Sequence, residues 1–233
     1  MIEHRPYHAL GGSDSGWLKA RLHIAFSGMG NPIHGPIGAL RVWNDDEFAP
    51  QSGFPMHRHQ DVDILTYVRR GAITHEDSLG NKHTIQAGDV QAMRAGSGIS
   101  HSEFNAGDEP TWLYQIWLEP RKRGAAPSWQ TRHFPRHERD AGLVVLASGH
   151  PDDEGAMPID ADARLLAATL RKGKHLSYRL APGRAMYIVT TSAAVEANGL
   201  ILQTRDGLLV HDEDTVTITA HDDTEIVIIE THQ

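Results

Sequence analysis

Gly53-Phe54-Pro55-Met56-His57-Arg58-His59-Gln60-Asp61-Val62-Asp63-Ile64-Leu65-Thr66-Tyr67-Val68 reads as extended chain, closing on a run of β-branched, aliphatic and aromatic residues. Side chains of a strand alternate between two faces, so His57 and His59 share a face about 7 Å apart along the strand at Cα. Both imidazoles can therefore reach one ion. Val62, Ile64 and Val68 supply the apolar face expected just after the histidines. By the same count Asp63 lies on the face of His57 and His59, while Arg58 points away.

A second stretch carries the same device. In Gly96-Ser97-Gly98-Ile99-Ser100-His101-Ser102-Glu103 the period of two puts His101 and Glu103 on one face. Two such pairs on strands that face one interior give three neutral nitrogens and a carboxylate, a set suited to Fe, Mn, Ni, Cu or Zn. Composition points the same way. There are 16 histidines and no cysteine, so a transition-metal site here must use imidazole and carboxylate, and no disulfide framework or thiol nucleophile enters. A lone His-x-His is commonly incidental, and the pairing of the two motifs is what gives it weight. Gly53, Gly88 and Gly96 supply bends at the ends of these segments, and a hairpin-like segment with the turn Leu79-Gly80-Asn81 separates them.

Strand patterning dominates the remainder. Ile64–Val68, Trp112–Trp117, Leu143–Leu146, Met186–Val189, Leu208–His211 and Glu225–Ile229 are short apolar runs punctuated by Gly, Asn, Asp and Pro, which predicts an all-β sandwich or barrel. Pro158–Leu170 is the best helix candidate and equally fits a strand after a loop. Glu119–Arg139, with Pro120, Pro127 and Pro135, reads as a connection between two halves. Those halves show faint self-similarity: Gly53–Val68 lies without gaps on Gly173–Ile188, and Asn105–Gln115 on Thr219–Ile229. In this alignment His57 and His59 fall on Ser177 and Arg179, and His101 and Glu103 on Thr215 and Thr217, so no metal set is expected in the second half. A net charge of −8 argues against direct binding to nucleic acid or to an anionic membrane. Arg121–Arg123 is a solvated loop rather than a nucleic-acid patch. With neither a bilayer-length apolar run nor a signal peptide, a cytoplasmic location is expected.

The chain from Ala39 to Trp117 resembles the pirins of the cupin superfamily. The resemblance is carried by Ala39-Leu40-Arg41-Val42-Trp43-Asn44-Asp45-Asp46, the stretch Gly53–Val68, His75-Glu76-Asp77-Ser78-Leu79-Gly80-Asn81, Ala87-Gly88-Asp89-Val90-Gln91-Ala92-Met93, Ala95–Glu103 and Leu113-Tyr114-Gln115-Ile116-Trp117. It implies a bicupin: two antiparallel β-barrels of jelly-roll type packed together, with few short helices. Residues 1–120 would form the barrel carrying the metal, 121–142 the connection, and 143–233 a barrel without metal. The implied ligands are His57, His59, His101 and Glu103, the four that spacing had selected, and the implied ion is one divalent transition metal, first Fe(II), with Mn, Ni, Cu, Co or Zn as alternatives. Two departures stand out. Arg58 replaces the family's usual Pro, and Asp63 replaces its usual Glu, which leaves Asp63 as a fifth ligand, a partner for a ligand imidazole, or a purely structural residue, the latter two preferred.

The resemblance implies a dioxygenase of the quercetin 2,3-dioxygenase type, acting on a small aromatic or enol substrate, flavonol or catechol-like, with O2. Glu103 would serve both as ligand and as the base that accepts a substrate proton. The alternative is a metal- or redox-dependent regulator that binds a transcription factor or a metabolic enzyme. A structural metal is the third reading, disfavoured for a site at an open end. Other clusters have plainer readings. His75-Glu76-Asp77 is expected to be exposed at a hairpin, Asp152-Asp153-Glu154 to be a solvated run, His133 and His137 a chance pair, and His175, His211 and His221 surface or structural residues. Trp112 and Trp117 are expected to pack.

Overall fold

The computed structural model describes residues 1–140 and 142–233; Ala141, within the expected connection 121–142, lies outside them. The first half runs through β1 (Ile2–Arg5), β2 (Gly11–Asp14), β3 (Leu18–Leu22), β4 (Leu40–Phe48), β5 (Ser52–His59), β6 (Asp63–Arg70), β7 (Ala72–Asp77), β8 (Lys82–Gln86), β9 (Asp89–Arg94), β10 (Ile99–Asn105), β11 (Thr111–Leu118) and β12 (Ser128–His133). The second runs through β13 (Val144–Ser148), β14 (Met157–Pro158), β15 (Ala163–Leu170), β16 (His175–Arg179), β17 (Arg184–Thr190), β18 (Val195–Ala197), β19 (Leu200–Leu202), β20 (Gly207–His211), β21 (Thr215–Ala220) and β22 (Thr224–His232). Among the described residues helix is confined to the single turns Tyr7–Ala9 and Arg136–Arg139, and none is long and apolar enough to cross a membrane. Pro158–Leu170 resolves as the end of β14, a short loop and β15.

Each half pairs a seven-stranded sheet with a four-stranded one. The first half has β12-β9-β6-β11-β4-β3-β2 and β5-β10-β7-β8; the second has β1-β20-β17-β22-β15-β13-β14 and β16-β21-β18-β19. The two sheets of a half exchange no ladder, so the expected closed barrels are open double-sheet jelly rolls, which leave β5 and β16 as edges. All pairings are antiparallel except the short β13–β14 contact. Segments also cross between halves. β1 pairs with β20, and the expected connection contributes β12, which extends the first half's large sheet beside β9.

The halves pack through the faces of their large sheets. Alternation on β4, β6 and β11 turns Trp43, Tyr67 and Tyr114 toward Leu165, Tyr187 and Ile229 of β15, β17 and β22 in one buried cluster. Each such side chain contributes about 1.5–3 kcal/mol by leaving water. Polar ties run through it: His23 Nδ1 to Tyr187 Oη at 2.9 Å, Tyr114 Oη donating to the Thr190 carbonyl at 3.3 Å, and Asp45 paired with both Arg69 and Arg205. Across the first half's sandwich from this interface, Ile73 and Ile85 of the four-stranded sheet bearing β5 and β10 pack with Phe48, Val68 and Leu113 in a smaller buried cluster.

Candidate metal centre

β10 runs antiparallel to β5 with His101 opposite His57. The register then shifts, so Glu103 faces Phe54 and β5 carries an extra residue at Pro55–Met56. Pro55 has no N–H to give a ladder, and a bulged edge strand is where it is tolerated. Gly53 is needed for closeness rather than for a bend, because a Cβ there would lie 2.1 Å from the Glu103 carbonyl oxygen. Gly96, at φ 48°, does turn the chain into β10.

The three imidazoles converge. Ring centroids are 4.8 Å apart for His57–His59, 4.5 Å for His57–His101 and 5.1 Å for His59–His101. One nitrogen from each lies within 4.8 Å of the other two. His101 is buried and its Nε2 has no hydrogen-bond partner, while His57 and His59 are half-buried. His57 Nδ1 lies 2.8 Å from the Pro55 carbonyl, to which it can only donate, so its lone pair sits on Nε2. Burial, followed by the neighbouring charge of His57, lowers the His59 pKa to about 4. Burial, then His57 and His59, lowers that of His101 to about 2. At neutral pH His59 and His101 thus present neutral imidazoles, the form a metal needs. An unpartnered buried nitrogen in such a cluster fits a divalent cation.

Glu103 is buried on the same face, but the atoms that gather within 4.8 Å are those of the three histidines. Its carboxylate is engaged by two chains. Gln115 Nε2 donates to Oε2 at 2.6 Å while Trp117 Nε1 donates to Gln115 Oε1 at 3.1 Å. On the other side Thr66 Oγ1 reaches Oε1 at 3.4 Å, Gln91 Nε2 donates to Thr66 at 3.1 Å, and Trp129 Nε1 donates to Gln91 at 2.7 Å. Burial raises the Glu103 pKa, and the Gln115 bond opposes it. Sequence reading missed Thr66, Gln91, Gln115 and Trp129. Thr66, Gln91 and Gln115 do stand out as polar residues inside apolar strands, whereas Trp129 comes from the connection and gave no sign. Trp117, expected only to pack, lies edge-on to His59 at 4.9 Å.

His75 and Asp77 are corrected from exposed to buried; within that motif only Glu76 faces solvent. β7 lies beside β10, with His101 opposite Asp77, so His75 and Asp77 stand behind the cluster. His75 Nε2 meets Asp77 Oδ2 at 2.9 Å. Burial would raise the Asp77 pKa, but hydrogen bonds from His75 and Asn81 outweigh it and hold the carboxyl below its usual range.

Asp63 is neither ligand nor imidazole partner. Asp61, at φ 52°, reverses the chain after β5 and resets the count of faces. Asp63 Oδ2 instead accepts the backbone N–H of Asp160 at 2.6 Å and of Ala161 at 2.9 Å, tying the two halves. Arg58 points outward, as expected, and donates to the Ser97 carbonyl at 2.9 Å. Asp153 is not freely solvated, since Arg164 Nε donates to it at 2.6 Å. Among the described residues no other histidine joins a metal-type cluster: His133 bonds Asp89, His175 bonds Thr219, His211 bonds Asp212, and His137 and His221 are exposed.

The matching strands of the second half carry no metal set, although not through the residues the alignment named. Tyr67 and Tyr187 do correspond, opposite Tyr114 and Ile229. On β16, however, Tyr178 opposite Val216 stands where His57 stands opposite His101, a slip of one residue. Ser177 and Arg179 are exposed, and the inward side chains are Leu176, Tyr178, Val216, Ile218 and Ala220.

Comparison with known proteins agrees with this architecture. Residues 5–118 match the Pirin family and residues 145–231 the quercetinase C-terminal cupin domain. A pirin-like protein of Caulobacter vibrioides is 51% identical over 230 residues, covering 99% of each chain. The quercetin 2,3-dioxygenase of Escherichia coli K12 is 35% identical over 231 residues, covering 99% of this chain and 98% of its own. The crystal structure of the bacterial pirin YhhW from Escherichia coli, in complex with nickel(II), superposes with a TM-score of 0.93 at 34% identity, covering 100% of this chain and 99% of that one. By sequence over nearly its whole length and by its paired cupin sandwiches, this chain belongs to the pirin family.

Proposed function

We propose that this protein is a metal-dependent dioxygenase of the quercetin 2,3-dioxygenase type, acting on flavonols or other enol and catechol-like aromatics. The observation that carries the reading is the convergence of three imidazoles, with the buried Nε2 of His101 lacking any partner. His57, His59 and His101 would hold one divalent ion, with Glu103 as the adjacent carboxylate. The nickel(II) complex of the YhhW pirin and the dioxygenase name of a relative 35% identical support both metal and reaction class. Fe(II) is the first choice of ion, with Mn, Ni, Cu, Co and Zn as alternatives. Such an ion supplies Lewis acidity toward an enol or catechol hydroxyl and a redox partner for O2.

The chain's own residues supply the rest. Burial raises the carboxyl pKa of Glu103 and suits it to accept the hydroxyl proton at Oε1, where Thr66 makes a long contact of 3.4 Å. Trp117 stands between His59, at 4.9 Å, and Phe26, at 5.2 Å. With the exposed Phe26, which bridges to the exposed Met29, it offers an apolar wall for a flat ring. The test loads the purified protein anaerobically with Fe(II), Ni(II) or Mn(II) and follows O2 consumption with quercetin and a panel of catechols. Turnover with at least one pair supports the reading. Tight metal binding without O2 uptake for any pair overturns it in favour of a regulator that binds a protein partner.

A further inference from the structure

Behind His101 lies a polar chain that neither the proposed ligands nor the proposed base accounts for. His101 Nδ1 is 3.4 Å from His75 Nδ1, and His75 Nε2 is 2.9 Å from Asp77 Oδ2. The carboxylate can only accept, so His75 carries its proton on Nε2 and leaves a lone pair on Nδ1. The contact between the two Nδ1 atoms is then satisfied when His101 donates from Nδ1. The His101 lone pair is thereby left on Nε2, the buried atom without a partner.

The far end of the chain is locked. Asp77 Oδ1 accepts from the backbone N–H groups of Leu79 at 2.9 Å and Asn81 at 3.1 Å, which decides which oxygen faces His75, while Asn81 Nδ2 donates to both oxygens, at 3.1 Å to Oδ1 and 2.9 Å to Oδ2. Trp129 stacks on the His75 ring at 5.1 Å and 11°, holding its plane. We propose that His75 and Asp77 are positioning residues that hold His101 in the tautomer whose Nε2 lone pair faces the metal, and so set the affinity of the site. The proposal rests on the reading that the histidine cluster binds a divalent ion, and it does not depend on turnover.

Asp77→Asn tests it because the substitution is isosteric and its orientation is dictated. The two backbone N–H donors, which cannot turn away, require the amide oxygen at the Oδ1 position, and Asn81 Nδ2 keeps its bond to that oxygen, so the amide nitrogen faces His75 Nε2 and donates to it. His75 must then carry its proton on Nδ1, His101 Nδ1 must accept, and the proton of His101 moves to Nε2, where it blocks a metal. The full chain is examined metal-free by long-range proton–nitrogen NMR of its histidines, and by calorimetric titration with Ni(II). The expected result is an Nδ1–H His101 in the parent and an Nε2–H His101 in Asp77→Asn, with nickel affinity lower by about 10–100-fold. Should Asp77→Asn fail to fold, His75→Phe keeps the stacked ring on Trp129, removes both hydrogen bonds, and is expected to show mixed His101 tautomers and a similar loss. A variant that binds nickel as tightly as the parent with the His101 tautomer unchanged overturns the proposal. If the parent itself binds no nickel, the metal reading fails instead.

Discussion

In the first half the pair β5–β10 turns His57, His59, His101 and Glu103 inward, whereas the matching pair β16–β21 turns in Leu176, Tyr178, Val216, Ile218 and Ala220. Behind them, Gln115 holds Glu103 on β11, and Glu230 takes the matching place on β22. Glu230 is fully answered by Tyr178, by Arg164 at 3.2 Å and by Arg184 at 3.0 Å. Behind the second lining the carboxylate is met by ion pairs; within the first lining the buried Nε2 of His101 has no partner. The second half therefore shows that this fold is stable with an apolar lining. The polar lining of the first half costs desolvation that folding does not require, which points to a ligand as its reason.

The sharpest way to break this comparison is His101→Ala. It is expected to abolish stoichiometric metal binding, read by elemental analysis, while the metal-free chain stays folded at a cost of about 1–3 kcal/mol, because the buried His75 Nδ1 loses its partner. Retained stoichiometric metal would mean that other residues are the ligands. Next in size is Glu230→Ala, which strands Arg164 and Arg184 beside a cavity and should cost about 3–5 kcal/mol in urea unfolding; a loss below about 1 kcal/mol would show the cluster to be solvent-screened. Saturation with nickel at about 100 times Kd should add about 2.7 kcal/mol to the parent and nothing to His101→Ala.

The smallest effect concerns the seam between the halves. Burial first, then the charges of Arg5 and Arg205, hold the His23 pKa well below its usual value. The unfolded chain binds a proton on this residue near pH 6.5 and the folded chain does not, so stability is full above about pH 6.5 and falls as pH drops below it. The slope from one such histidine is at most about 1.4 kcal/mol per pH unit. His23→Gln should flatten the curve of stability between pH 6.5 and 5 by up to that amount. An unchanged slope would assign the acid sensitivity elsewhere.

Much of the centre was legible because strand alternation is a local rule. It placed His57 with His59 and His101 with Glu103 before any pairing was known, and it held wherever the strand ran unbroken. It failed where the backbone left the strand. The left-handed Asp61 reset the count before Asp63, and a spacing one residue shorter from Tyr178 to Tyr187 than from His57 to Tyr67 moved the second half's lining from Ser177 and Arg179 to Leu176 and Tyr178. His75 and Asp77 were misjudged because a hairpin is normally exposed, and only β10 lying across β7 buries them.

By itself, then, the order of residues determined the all-β class, the two same-face pairs His57/His59 and His101/Glu103 and the lack of such pairs on the matching strands of the second half, since each depends on spacing within one segment. Tertiary structure alone decided that the pairs meet, that Glu103 answers to Gln115 and Thr66, that Asp63 joins the halves, and that β1 and β12 cross from their expected places. Those outcomes depend on which strands lie side by side, and residues far apart in the chain settle that by burying Trp43, Tyr67, Tyr114 and Tyr187 against one another.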